Sequence, residues 1–448
     1  MAMHIDMPVL NLPQSPDDCG LVDDRRHVFR VHTSAYTDQQ VFANEMKRIY
    51  QKNWVYVAHT SEIAKPGDFK TSYIGLQPVI VSRGDDGAVH VLLNRCVHRG
   101  TVVCRESRGT TVSFNCPYHG WSFAKDGKLV GIPMHKDDGG YSEHFVAPEG
   151  LFRVPRVESY RGLIFASFDE ASPPLTDFLG KALPFIDRKM NLSPVGEIEI
   201  VSDPYVVTFN GNWKFQSENI VDTYHFLFVH NAFARLQERY GDSTGDYGVH
   251  RGGSPAEMKK IRSKGIATGC VQGHGLAETP AGPAALDHLL NGPSRDYYQD
   301  LVRRHGATEV EWMLGNAASS IFPNVGLIHH QIRTWRPISP TSTEVSVYPF
   351  EIKGAPSEVN EGWLESQERF YGPSGYGMAD DLEVFNMSQQ GMEGSALEWL
   401  IFERALDTEK RGDSGEFQSS PMGETPQRAF WRAWKRAMSP AHSSDRKA

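Results

Sequence analysis

Between Asn94 and Phe123 the chain reads NRCVHRGTVVCRESRGTTVSFNCPYHGWSF. Cys96-x-His98 is followed by seventeen residues and then Cys116-x-x-His119. Two such pairs, each in a turn between short strands, can present four soft or borderline ligands to one metal centre, which suits zinc or an iron–sulfur cluster. A two-cysteine, two-histidine zinc finger groups its cysteines and then its histidines. Here each hairpin offers one of each, as a [2Fe–2S] cluster with two cysteines on one iron and two histidines on the other requires. Gly100 and Gly120 let the backbone come close to such a cluster, and Pro117 stiffens the second loop. Cys104 lies between the pairs but outside the pattern and reads as a packed or free thiol.

The remaining cysteines do not alter this. Five in 448 residues are an odd, sparse set rather than a disulfide framework. A formal charge of −9 argues against a nucleic-acid partner, and no apolar run approaches the roughly 18 residues of a membrane helix. The opening residues lack the layout of a signal peptide, so a cytoplasmic protein is expected.

The length exceeds one ordinary domain. The first forty residues read as a polar arm, and Asp38–Trp54 as a helix with Phe42, Met46 and Ile49 on one face. These residues, 1–54, are taken with the catalytic domain. From 55 to 168, short β-rich runs alternate with turns such as Asp85-Asp86-Gly87 and Asp126-Gly127, which predicts a small antiparallel β domain. Residues 173–184 read as a linker. In 169–448, strands are expected in EIEIVSDPYVVTFN, SSIFPNVGLIHHQIRTWRP and STEVSVYPFEI, and helices over Trp213–His230, Glu361–Tyr371, Asp380–Gln390 and Arg428–Met438. The fold class is therefore α+β, an antiparallel sheet covered by helices beside the small β domain. Residues 240–310 yield no clear assignment.

A second constellation lies in ENIVDTYHFLFVH, which holds Asp222, His225 and His230. On a helix Asp222 and His225 share a face, but His230 can join them at one metal only if the helix ends or bends near Phe228. Taken alone, two histidines among aromatic residues more often sit satisfied in a core.

The first constellation resembles the motif C-x-H-(R/K)-G … C-x-x-H-G-W of Rieske proteins, and the second resembles the D-x-Y-H-x4-H motif of Rieske non-haem iron oxygenase large subunits. The resemblance runs from Trp54 to about Trp434 and is weakest in the arm and in 240–310. It implies a [2Fe–2S] cluster on Cys96, His98, Cys116 and His119, and a mononuclear Fe(II) on His225 and His230. The family's third ligand follows F/Y-G-P-x-G; here Tyr371-Gly-Pro-Ser-Gly375 precedes Asp380-Asp381, which makes Asp381 the ligand and leaves Asp380 as a neighbour or helix cap. Asp222 corresponds to the acid that joins an iron-bound histidine to a cluster histidine of the next subunit, His119 or His98, in a three-fold ring. The C-terminal ETPQRAFWRAWKRAM and the HHQIRTWRP strand resemble the benzoate/anthranilate/salicylate branch, with its α3β3 assembly of large and small subunits. The resemblance implies dioxygen chemistry on an aromatic ring, fed from NAD(P)H through a separate reductase, with or without a ferredoxin. For a carboxylated ring, Arg333 is a candidate anchor, against a plain salt bridge between strands; Ile220 and Phe226 are candidates for pocket shape. Competing readings are a Rieske monooxygenase or O-demethylase, and a Rieske electron carrier without oxygenase activity. Against the carrier, the cluster domain needs only about 110 residues, an ordinary single-domain size.

Overall fold

Strand alternation in the cluster-bearing part resolves into three small sheets. In the computed structural model, which describes residues 19–137, 139–233, 235, 263–394 and 396–439, the strands Asp68–Ile74, Gln77–Arg83 and Val89–Leu93 form an antiparallel meander, edged by Arg108–Thr110. Phe114–Asn115, Ser122–Phe123 and Leu129–Gly131 form a second sheet, and Arg156–Tyr160, Leu163–Ser167 and Val55–His59 a third. The turn at Asp85–Gly87 closes as its composition predicts: Gly87 takes φ +79°, and Asp86 accepts the Ala88 amide at 2.9 Å.

The remainder is built on a ten-stranded antiparallel sheet. Its longest pair is the hairpin Gln331–Ser339/Ser342–Ile352. Val325–Ile328, Asn316–Ile321, Gly275–Thr279, Ile266–Gly269, Phe417–Ser419 and Lys410–Arg411 follow on one side, with Ile198–Ile200 and Tyr205–Phe209 on the other. Helices Lys214–Asn219, Ser357–Tyr371, Tyr376–Met392 and Thr425–Met438 accompany it. One apolar core runs from Val79 and Val91 through Trp213, Trp335 and Trp431 to Phe385, so the two parts share an interior. Asn324 stitches them: its side-chain amide accepts from the Tyr56 amide and donates to the Tyr56 carbonyl, each at 3.0 Å, as a strand residue would.

At the heart of the core is a fully buried ion pair. Lys214 donates to Glu45 at 2.6 Å, and the same carboxylate accepts Trp213 Nε1 at 2.9 Å and Trp434 Nε1 at 2.6 Å. Removing one partner strands the others without water. Glu45→Ala is therefore expected to cost about 3–5 kcal/mol, measured by denaturant unfolding. A loss below about 1 kcal/mol would show that the pair can be dispensed with.

Several expectations need correction. The arm reading fails beyond residue 21: Val22–Arg25 and Val28–His32 form a hairpin that pairs with Trp399–Ile401 and buries Phe29 and Val31 completely. Residues 1–18 lie outside the described residues. The stretch 173–184 is no linker, because helix Leu175–Leu179 buries Leu175 and Leu179 in a core cluster. From residue 263 the unassigned region holds two sheet strands and helices Pro283–Asn291, Arg295–His305 and Ala307–Met313, while 236–262 lie outside the described residues.

Candidate metal centres

The two Cys/His loops are built alike. Cys96 donates its amide to Thr101 O at 2.8 Å and Gly100 returns one to Cys96 O at 2.9 Å; Cys116 and Trp121, with Gly120, repeat the pattern at 2.8 and 3.0 Å. Each loop therefore turns tightly, with φ +75° at Gly100 and +70° at Gly120. A Cβ at Gly120 would also meet Pro133 Cγ at 2.9 Å. The turns bury both thiols and leave the two imidazoles half-buried at the rim. Cys96 and Cys116 are neighbours; burial and the adjoining thiol push Cys96 up. The rings of His98 and His119 stand 4.6 Å apart, with His98 stacked on Trp121 at 4.9 Å. His119 Nδ1 is buried without a hydrogen-bond partner. Paired sulfurs beneath paired imidazoles, with a ring nitrogen unspent, fit a [2Fe–2S] cluster. Cys104 is a packed thiol, pushed up to about 11 mainly by burial.

The second constellation does not lie on one helix. Helix Lys214–Asn219 ends, and a short one, Phe226–Val229, follows. The residue that breaks them is Asp222. Its Oδ1 accepts the Tyr224 amide at 2.7 Å and the His225 amide at 3.3 Å, so the side chain takes up amides that a continuous helix would use. The predicted Trp213–His230 helix is thereby interrupted earlier than Phe228. The break brings His225 and His230 together, with ring centroids 5.3 Å apart.

Asp381 reaches them from helix Tyr376–Met392. Its Oδ1 lies 3.5 Å from His225 Nε2 and 3.3 Å from His230 Nε2, and the three ligand atoms fall within 4.8 Å of one another. Burial acts to raise the Asp381 carboxyl, but His225 and His230 hold it well below the usual carboxylate range. His225 is raised to about 9: burial opposes this, and Asp222 and then Asp381 outweigh it. The outer ring nitrogens also face acids, His225 Nδ1 with Asp222 at 3.7 Å and His230 Nδ1 with Asp380 at 3.5 Å. Two imidazoles and one carboxylate converge here, with an acid behind each ring, and this donor set fits a facial iron site with open positions.

Two participants, Asn219 and Phe370, escape the motif reading, and a third, Asp380, takes another place than the cap. Asn219 donates to Asp381 Oδ1 at 3.2 Å and lies 3.3 Å from His225 Nε2; its position three residues before Asp222 was the available hint. Asp380 does not cap the helix, whose N-cap is Gly375, but faces His230. Phe370 stands edge-on to His230 at 5.0 Å. One residue before Asn219, Glu218 anchors the helix by accepting from Tyr36 at 2.6 Å and Trp431 at 2.8 Å; burial lifts its carboxyl to about 7 against those bonds.

A cluster-type double loop and a two-histidine, one-carboxylate site in one chain define the class of Rieske non-haem iron proteins. Residues 53–160 match the Rieske [2Fe-2S] domain, and residues 190–440 the catalytic domain of the ring hydroxylating alpha subunit. The chain is 33% identical over 401 residues to the anthranilate 1,2-dioxygenase large subunit of Acinetobacter baylyi, covering 86% of this chain and 82% of that one. It is 35% identical over 381 residues to the 2-halobenzoate 1,2-dioxygenase large subunit of Burkholderia cepacia, covering 83% and 79%. Naphthalene 1,2-dioxygenase with indole bound in the active site superposes with a TM-score of 0.79 at 28% identity, over 92% of this chain and 93% of that one. The chain belongs to the large-subunit family of Rieske aromatic-ring-hydroxylating dioxygenases, in the benzoate/anthranilate branch. It is an oxidoreductase whose domains imply a [2Fe–2S] cluster and a mononuclear iron. Among the described residues no helix is long and apolar enough to cross a membrane.

Proposed function

We propose that this chain hydroxylates or dihydroxylates an aromatic carboxylate, with Fe(II) on His225, His230 and Asp381 and the cluster on Cys96, His98, Cys116 and His119. The observation that carries the assignment is the convergence of His225, His230 and Asp381 within 4.8 Å, in a chain that also holds the paired loops. When bound, the two centres supply single electrons and open positions for dioxygen. The chain's own groups do the rest. With iron bound, Asp222 and Asp380, 3.7 and 3.5 Å from Nδ1 of His225 and His230, would favour the ring protons on that side and leave both Nε2 atoms to the metal. Asn219 holds Asp381 Oδ1 in one orientation. Phe226 and Phe370 flank His230 at 5.3 and 5.0 Å and help to exclude water.

The aromatic acid is supported by relatives named for anthranilate, 2-halobenzoate and toluate. Residues 55–168 are assigned to the Rieske domain, and 1–54 with 169–448 to the catalytic domain. Asp222, with its side chain 33% exposed, is placed at a subunit boundary, accepting from His98 or His119 of the partner subunit in a trimer of large subunits within an α3β3 hexamer. Exposed apolar side chains on both surfaces support such a contact: Val97, Val102 and Tyr118 beside the cluster loops, and Leu227 and Phe228 beside the iron site. Electrons come from NAD(P)H through a separate reductase, with or without a ferredoxin. The placement is cytoplasmic, where the buried thiols stay reduced.

Turnover by purified protein with a reductase, on aromatic acids set against neutral hydrocarbons, tests this. Ring-hydroxylated acids are the expected products. Oxidation of hydrocarbons alone would overturn the substrate class.

A further inference from the structure

Two buried arginines of the catalytic sheet region differ in how they spend their donors. Arg428 is fully buried and satisfied: it bonds Glu409 at 2.7 Å, the carbonyls of Phe402 and Arg404 at 2.9 Å each, and Thr425 at 3.1 Å. Arg333 is 1% exposed and has no carboxylate partner among the described residues. Among the described residues its guanidinium makes one hydrogen bond, from Nη2 to Gln331 Oε1 at 3.5 Å, and its Nε is buried with no acceptor. Gln331, 0% exposed, likewise leaves its side-chain Nε2 without a partner. Two positions apart on one strand, these side chains share a face of the sheet. The result is a buried spot whose donors outnumber the one distant acceptor, Gln331 Oε1, that the described residues offer them. A guanidinium carries five N–H groups and is always charged, so leaving them unspent in the interior is costly unless an anion arrives.

The place of this spot is informative. Trp335, next on the same face, packs into the core that also contains Ile220, Met378 and Phe385 from the segments around the candidate iron site. The Arg333 guanidinium lies 5.0 Å from the centre of the Tyr371 ring. The Tyr371 phenol, raised chiefly by burial, is within electrostatic reach of both Arg333 and Asp381. Tyr371 thus carries the guanidinium on its face and is at the same time within electrostatic reach of the candidate metal ligand.

We propose that Arg333, assisted by the Gln331 amide, binds the carboxylate of the substrate and so sets the enzyme's preference for aromatic acids over neutral rings. A planar guanidinium matches a carboxylate with two parallel hydrogen bonds, and a neutral methyl ester, without the charge and the second free oxygen, cannot return both. Arg333 is thereby a specificity residue, and this rests on the aromatic-acid reading above.

The test compares anthranilate, benzoate and salicylate with their methyl esters, using the purified enzyme with its electron donors. Wild type is expected to favour the acids. Arg333→Gln is expected to raise KM for the preferred acid roughly 30- to 100-fold, with kcat/KM for the ester within about twofold. Arg333→Lys, which keeps the charge but loses the fork, is expected to raise KM for the acid several-fold and to leave the ester unchanged. Equal losses on acid and ester would mark a packing role and overturn the proposal, as would an unchanged acid KM. If wild type oxidises only neutral rings, the aromatic-acid reading itself fails. If wild type prefers acids and Arg333→Gln keeps that preference, only the present assignment fails. Should Arg333→Gln yield no coloured, folded protein, the Arg333→Lys measurement decides by the same two comparisons.

Discussion

Asp381→Ala should lose ring hydroxylation by roughly 10³-fold or more, a rise of about 4 kcal/mol in the barrier, while the purified protein keeps the colour of its cluster. The expectation follows from where Asp381 sits. It is 3% exposed and lies between His225 and His230, and among the described residues it is the one carboxylate that both Nε2 atoms face. Alanine removes the negative charge that offsets a divalent cation and leaves the Asn219 amide without its acceptor. Nothing in that change reaches the loops around Cys96 and Cys116, so absorption and sulfide content should match wild type. Iron analysis supplies the second readout, falling from two kinds of site to one. Undiminished product formation would remove Asp381 from the assignment and revive the electron-carrier reading.

Asp222→Asn should behave differently. The amide keeps an oxygen that can accept from the Tyr224 and His225 amides, so the loop that separates the two helices should persist. The charge facing His225 Nδ1 is lost. Both metals are expected to remain bound, and oxidation of the pre-reduced cluster in the presence of substrate and dioxygen should slow by about 10–100-fold, the usual scale for losing the acid behind a ligating histidine. Rapid-mixing absorbance reads this directly. Wild-type product yield and rate in a single turnover would remove Asp222 from the path between the centres.

What could be read from the chain before its fold was known divides along a physical line. Motifs whose ligands are close in sequence were legible, because the chemistry of Cys96-x-His98 and Cys116-x-x-His119 is local and their glycines specify the turns. His225 and His230 were visible as a pair, and Asp381 only through family resemblance, since it lies 151 positions beyond His230. The turn at Asp222 was not legible: a side-chain oxygen competing for two backbone amides leaves no periodic signal, so a helix was expected to run through it. Asn219 was in view without a role and Asp380 only as a neighbour or helix cap, because which ring nitrogen an acid faces depends on how two distant helices pack. The arm was misread for the opposite reason. Val28–His32 is short and charged in places, and only its pairing with Trp399–Ile401, about 370 residues later, makes it a strand of the core.

The central claim is that electrons delivered through this chain end in oxygen bonded to an aromatic ring. Single turnover of the pre-reduced protein under ¹⁸O₂, with an aromatic acid present, tests it most directly. Mass spectrometry of the ring product is expected to show two labelled atoms, as a cis-dihydrodiol of the acid. One labelled atom would move the reaction to monooxygenation, and an unlabelled or unreacted ring with the cluster oxidised would contradict the account.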